Sequence, residues 1–231
     1  MRKYTIFLML IICSVYYQPI FALDGFRSLN SSVIVDNIYF AVGEYEGEPA
    51  AICRGVWDKK SPIEDPVIPD MVVYQDKEYP VIAINKKAFA VEDSRENVLT
   101  GILTLPNTLK FIEDDAFSGC SKLNGSLIIP ASVTEIGSNA FYGCSGFTGS
   151  LTIPESVTTI REGTFYNCGF TGSLLIPNSV TTIESKAFRG CHGFTGSLTI
   201  PESVTTIGDD AFFLCDGFTG SLTIGNSVTT T

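Results

Sequence analysis

LTIPESVTTIGDDAFFLC, residues 198–215, decides the fold, because its spacing returns along most of the chain. Its proline, Pro201, has counterparts at Pro106, Pro130, Pro154 and Pro177, with Gly225 in the same place further on, at intervals of 24, 24, 23, 24 and 24 residues. Six residues after each proline stands Ile112, Ile136, Ile160, Ile183 or Ile207. Eleven after stands Phe117, Phe141, Phe165, Phe188 or Phe212, and fourteen after stands Cys120, Cys144, Cys168, Cys191 or Cys215. A register held this long is the signature of stacked repeats. The one 23-residue interval reflects a residue missing after Cys168, where CGFTGS replaces CSGFTGS. The gap lies between fixed apolar positions, so it predicts a turn.

Each unit can be read physically. Leu151-Thr152-Ile153 alternates apolar and polar, the period of a half-buried strand. Pro154 ends that strand, having no N–H for a ladder. Val157 and Ile160 predict a second short extended piece. Ile136, Ala140 and Cys144 lie four apart, joined by Phe141, which predicts one helical turn. Asp114, Ser138, Glu162, Ser185 and Asp209 stand at its N-cap, four of them good capping residues. Gly119, Gly143, Asn167 and Gly190 tolerate the left-handed conformation that closes a helix, whereas Leu214 at the fifth place does not. One such unit cannot bury its apolar face; stacked units can. The expected fold is an α/β repeat solenoid, right-handed, with about five full coils of 23–24 residues and a β-rich N-terminal cap.

These residues resemble the leucine-rich repeat of the BspA-like class, also called the Treponema pallidum type. The resemblance is dense over residues 103–231. It extends more loosely to residues 67–102, where Ile68-Pro69 resembles a first IP, and Ile84 and Phe89 stand five apart as in later coils. VVYQDKEYPV reads as a hairpin inserted around Gln75-Asp76-Lys77, and a looser loop around Glu92 to Glu96 follows. Residues 23–66 read as the cap, with strands at Ser32–Val35, Ile38–Val42 and Ala50–Arg54 and a turn at Asp36-Asn37; family members carry a comparable segment. The resemblance implies a surface protein that binds other proteins, in cell adhesion or recognition of host extracellular matrix; a structural spacer or surface-layer module and a carbohydrate-binding accessory protein are the alternative readings.

The N-terminus reads as a targeting segment. Met1-Arg2-Lys3 is basic, Tyr4 to Ala22 is apolar and nearly uncharged, and Ala22 is small enough for cleavage. A secretory signal over residues 1–22 implies export to the cell surface or medium. Rival readings are lipoprotein anchoring through Cys13, preceded by the bulky Ile12, and a retained membrane anchor. At the other end, Thr231 stands where earlier coils have isoleucine, so the last coil reads as uncapped. Leu198, Ile200, Phe212, Leu222 and Ile224 are then expected to leave apolar surface that favours self-association.

Composition narrows the function. The 231 residues allow one domain or two small ones. Lys and Arg number 15 against 25 Asp and Glu, a formal charge of −10; without Arg2 and Lys3 it is −12. A nucleic-acid or anionic-membrane partner needs clustered positive charge, so neither is expected. The single histidine, His192, falls where other coils have Ser121, Ser145, Gly169 and Asp216, and reads as exposed and partnerless. Asp114-Asp115 and Asp209-Asp210 are explained by capping, and no GxSxG, P-loop or EF-hand spacing occurs. No enzyme activity, metal or cofactor is expected.

Three columns remain. The cysteine ladder is either a metal array, a disulfide chain or a buried column of small thiols. Parallel side chains one strand spacing apart do not converge to disulfide geometry, which favours the buried column. Thr104, Thr152, Thr199 and Thr223, with Ile128 and Leu175, form an outward column, as do Lys110, Thr134, Thr158, Thr181, Thr205 and Thr229. These read either as wet strand faces or as a flat binding surface. After each phenylalanine stands Ser118, Tyr142, Tyr166, Arg189 or Phe213. Tyr142, Tyr166, Arg189 and Phe213 are the candidate partner-binding residues, since aromatic and arginine side chains anchor interfaces; edge packing between coils is the other reading.

Overall fold

The computed structural model describes residues 25–91 and 97–229. The targeting segment, the Glu92–Glu96 loop and Thr231 lie outside the described residues. Eighteen strands and tight turns make up the described chain, with no helix. The expected α/β class is therefore corrected: this is an all-β repeat solenoid of about six turns.

Backbone partners explain the missing helix. In the segment expected to be helical, Ala140, Tyr142 and Cys144 donate their N–H groups to carbonyls three residues back, at 3.3, 3.0 and 3.2 Å. The alternate N–H groups of Asn139, Phe141 and Gly143 reach the carbonyls of Glu162, Thr164 and Tyr166 in the next coil, at 2.9, 2.9 and 2.7 Å. A helix spends every N–H within itself; these overlapping turns spend half of theirs on the neighbour, so they belong to a stack. The alternation requires left-handed residues at two places per coil. One column is Asp115, Asn139, Gly163, Lys186 and Asp210, with φ from 54° to 59°. The other is Gly119, Gly143, Asn167, Gly190 and also Leu214, whose φ of 59° overrides the preference of a leucine. The capping reading changes accordingly. Asp114 Oδ1 accepts from the N–H of Ser138 in the next coil, 3.0 Å away, and not from its own turn.

The remaining segments pair in parallel columns. One column joins β6 (Lys77–Ile84), β8 (Phe111–Ile112) and β10 (Glu135–Ile136), and further along β13 (Thr159–Ile160), β15 (Thr182–Ile183) and β17 (Thr206–Ile207). A second joins β12 (Leu151–Thr152) to β14 (Leu174–Leu175), and β16 (Leu198–Ile200) to β18 (Leu222–Ile224). A third holds β4 (Ile63–Glu64), β7 (Leu99–Ile102), β9 (Leu123–Ser126) and β11 (Phe147–Thr148).

The N-terminal strands β1 (Phe26–Val35), β2 (Ile38–Tyr45) and β3 (Glu48–Val56) form an antiparallel meander. β1 starts earlier than the sequence suggests, because a bulge between Ser28 and Ser31 lets pairing resume. β3 then pairs in parallel with β6, so the meander continues the first solenoid column. The inserted hairpin is β5 (Met71–Tyr74) turning into β6 through Gln75 and Asp76, both at positive φ (50° and 60°).

The core is two phenylalanine ladders. Phe89, Phe117, Phe141, Phe165, Phe188 and Phe212 stack at centroid spacings of 5.1, 5.4, 5.7, 5.6 and 5.3 Å. Phe147, Phe170, Phe194 and Phe218 stack at 5.9, 5.6 and 5.6 Å. The two meet edge to face, as at Phe165 and Phe170 (6.1 Å, 68°). Glycine precedes each ring of the second ladder for a steric reason. A Cβ on Gly146, Gly169, Gly193 or Gly217 would lie 2.0–2.3 Å from a backbone oxygen of the preceding coil. At the last coil, Leu222 and Ile224 are exposed and Phe212 is partly buried. Leu198 and Ile200, expected to add to that apolar surface, are instead buried, because β18 pairs alongside them.

Candidate functional site

The four expected contact residues come together as one column on the outside of the turn segment. Tyr142 stacks on Tyr166 with centroids 4.8 Å apart and planes 24° apart. The Arg189 guanidinium lies 5.8 Å from the centre of the Tyr166 ring and 4.7 Å from that of Phe213. An arginine is thus inserted between two aromatic rings and tied down by an ion pair with Asp210 of the next coil. Tyr142 and Phe213 remain 40% and 49% exposed, so the column forms a rim that other molecules can touch.

The backbone explains this rim. Tyr142, Tyr166, Arg189 and Phe213 each follow a phenylalanine of the first ladder, buried at Phe141, Phe165 and Phe188 and partly buried at Phe212, and each is the last residue before a left-handed one. Inward and outward side chains therefore alternate, and the outward ones inherit the coil spacing. Beside the rim, Asn139, Tyr142, Glu162, Gly163, Tyr166, Lys186 and Arg189 line a shallow open groove. Lys186 and Glu162 pair across it at 3.5 Å. Gly163 keeps the floor low, since a Cβ there would meet Asn139 Oδ1 at 2.2 Å.

The cysteine ladder is a column of unbridged thiols, buried at Cys120, Cys144, Cys168 and Cys191 and partly open at Cys215. Each Sγ–H donates to the carbonyl of the phenylalanine in the preceding coil: Cys120 to Phe89, Cys144 to Phe117, Cys168 to Phe141, Cys191 to Phe165 and Cys215 to Phe188, at 2.9–3.2 Å. Burial pushes the thiols of Cys53, Cys120 and Cys191 up to about 12, and Cys215 to about 11. Cys144 and Cys168 are raised well above the ordinary range by the same desolvation, reinforced by neighbouring cysteines. A thiolate nucleophile is strongly disfavoured there. Among the described residues, no three of His, Cys, Asp and Glu gather as a metal set.

His192 is exposed but not partnerless, contrary to the sequence reading. Its Nδ1 lies 2.8 Å from Asp216 Oδ1, one coil on, and this contact lowers the Asp216 carboxyl below its usual value. The threonine columns stay outside. Thr134, Thr181, Thr205 and Thr229 spend their hydroxyls on carbonyls of the preceding coil at 3.2–3.3 Å. The apolar Ile128 and Leu175 are exposed at 74% and 57%. Sequence reasoning missed the second phenylalanine ladder, although GFT recurs at Gly146, Gly169, Gly193 and Gly217. It also missed the thiol-to-carbonyl bonds, for which the sequence carries no separate signal.

A solenoid of parallel strands with a preorganised aromatic–arginine rim defines a repeat protein of the leucine-rich-repeat class. Residues 82–219 match the BspA type Leucine rich repeat region in six copies, and the chain belongs to that family. Three solved structures are similar. A Treponema pallidum leucine-rich repeat protein matches with 26% identity and a TM-score of 0.66, over 81% of this chain and 80% of that one. A leucine-rich repeat protein from Bacteroides ovatus matches with 29% identity and a TM-score of 0.56, over 84% of this chain and 42% of that one. A leucine-rich cell surface protein from Faecalibacterium prausnitzii matches with 26% identity and a TM-score of 0.55, over 82% of this chain and 54% of that one. This chain therefore spans well under two thirds of the Bacteroides and Faecalibacterium proteins. No curated protein sequence matches it.

Proposed function

We propose that this chain is a non-catalytic recognition module, exported through residues 1–22, that binds another protein at the cell surface in adhesion or host-matrix recognition. The supporting observation is the column Tyr142–Tyr166–Arg189–Phe213, exposed yet locked by stacking and by the Arg189–Asp210 pair. A rim ordered before contact loses little side-chain entropy on binding. The same stacking closes the Tyr166 ring to a carbohydrate partner. A sugar packs on an open ring face, and both faces of Tyr166 are occupied, by Tyr142 and Arg189. Family membership supports a protein-interaction role, and the cell-surface description of the Faecalibacterium relative supports surface location.

The test is retention of host extracellular proteins by the immobilised chain. Exchanging Tyr142, Tyr166 and Phe213 together for Ser should abolish retention with unchanged circular dichroism. Normal retention by that variant would move the interface elsewhere, and absence of any protein partner would leave a spacer role. Mass spectrometry of the native protein should find Leu23 at the mature N-terminus; a lipid on Cys13 or an intact Met1 would refute simple cleavage.

A further inference from the structure

The groove beside the rim lies over Gly163. Of Asp115, Asn139, Gly163, Lys186 and Asp210, which share one left-handed column, only Gly163 has no side chain. The groove takes that place and holds about 410 Å³ of space, bounded along the column by Asn139 of the preceding coil and Lys186 of the following one. Asn139 leans into it, since its Oδ1 lies 2.2 Å from where a Cβ of Gly163 would stand. No hydrogen bond of the Asn139 carboxamide is found among the described residues. The charges around it are engaged, Lys186 with Glu162 at 3.5 Å and Arg189 with Asp210.

We propose that this groove is a subsite for a carboxamide side chain, glutamine or asparagine, of the protein partner. The proposal deepens the recognition edge described above and rests on it. A carboxamide such as that of Asn139 offers an acceptor oxygen and an NH2 donor on one planar group. The group that answers both at once is another planar amide, which donates to the oxygen and accepts from the nitrogen. The lining charges decide against a charged side chain. A carboxylate entering here meets Glu162 and competes with it for Lys186, whereas an ammonium or guanidinium meets Lys186 and Arg189. A neutral amide leaves both ion pairs intact. Tyr142 and Tyr166 line the groove on the rim side, and the stacking of their rings at 4.8 Å orders that wall before contact.

The test follows the ring resonances of Tyr142 and Tyr166 by NMR while N-acetyl-glutamine amide, N-acetyl-glutamate amide, N-acetyl-lysine amide or N-acetyl-alanine amide is added to the full chain. The glutamine probe should give a saturable shift with a dissociation constant on the order of 10 mM. The glutamate and lysine probes should bind about fivefold more weakly or worse. The alanine probe carries only backbone amides and should give no saturable shift. Asn139→Asp keeps the shape and the left-handed backbone, as Asp115 and Asp210 do in that column, but loses the NH2 donor; it should weaken glutamine binding about tenfold. Gly163→Asn, whose own carboxamide fills the groove from within, should abolish the response. No saturable shift, an equal response to any other probe, or unchanged binding in either variant would overturn the proposal. These outcomes are separate from the test of the recognition edge. If the triple serine variant loses the protein partner while the glutamine probe fails, the edge stands and the carboxamide subsite falls; if retention survives that exchange, the edge itself falls.

Discussion

The Cys144 thiol donates to the carbonyl of Phe117, 3.2 Å away in the preceding coil. That carbonyl already accepts the N–H of Cys120 at 3.1 Å, so it binds one donor from its own turn and one from the next coil. The ladder is therefore a set of inter-coil ties as well as apolar filler. Cys144→Ser keeps a donor but shortens the reach and buries a hydroxyl, and should cost about 1–3 kcal/mol in urea unfolding. In the folded protein a thiol reagent should label Cys215 first, because it alone of the ladder is partly open.

The same thiols should make the fold sensitive to alkali. Each buried thiol holds its proton to a pH above that of an unfolded cysteine, near 9. The unfolded chain then binds fewer protons at high pH. Stability is complete below about pH 9 and falls as pH rises toward 12, by up to about 1.4 kcal/mol per pH unit for each of Cys53, Cys120, Cys144, Cys168 and Cys191. Urea midpoints between pH 8 and 11 measure this. Cys144→Ser should show a shallower decline than the parent chain.

Leu214 adopts φ 59° where three equivalent coils have glycine and one has asparagine. It is 47% exposed, so shortening it removes little buried surface. Relief of the left-handed penalty should outweigh the added chain entropy, and Leu214→Gly should stabilise the protein by up to about 1 kcal/mol. A lower urea midpoint would contradict this account.

Two glycines in neighbouring turns should respond differently to alanine. A Cβ on Gly193 would lie 2.3 Å from the Phe170 carbonyl oxygen, whereas one on Gly196 would meet nothing within 4 Å. Gly193→Ala must push two coils apart and should cost about 3 kcal/mol. Gly196→Ala carries only the left-handed penalty of φ 76°, about 1 kcal/mol.

Position along the stack should set the cost of losing a ring. Phe165 is fully buried and stacked on both faces, by Phe141 and Phe188. Phe212 is only partly buried and stacks on Phe188. Phe165→Ala should cost about 3–5 kcal/mol and Phe212→Ala clearly less, a difference that calorimetry can resolve.

The repeat itself was legible in the sequence by itself. Its period, its apolar positions, the Asp36-Asn37 turn and the hairpin at Gln75-Asp76 follow from local demands. A buried residue must be apolar each time the chain returns to the same place, and a tight turn needs residues that tolerate positive φ. The list Tyr142, Tyr166, Arg189 and Phe213 was legible too, because it is one periodic column. The conformation between Ile136 and Cys144 was not. Its four-residue spacing fits a helix and a run of overlapping turns equally, and the choice depends on N–H partners 23 residues away in the chain but adjacent in space. The cysteine-to-phenylalanine bonds, the His192–Asp216 contact and the placing of Arg189 between two rings have the same origin. Each joins residues of successive coils, so stacking creates it, and no single repeat contains the geometry that brings its two ends together.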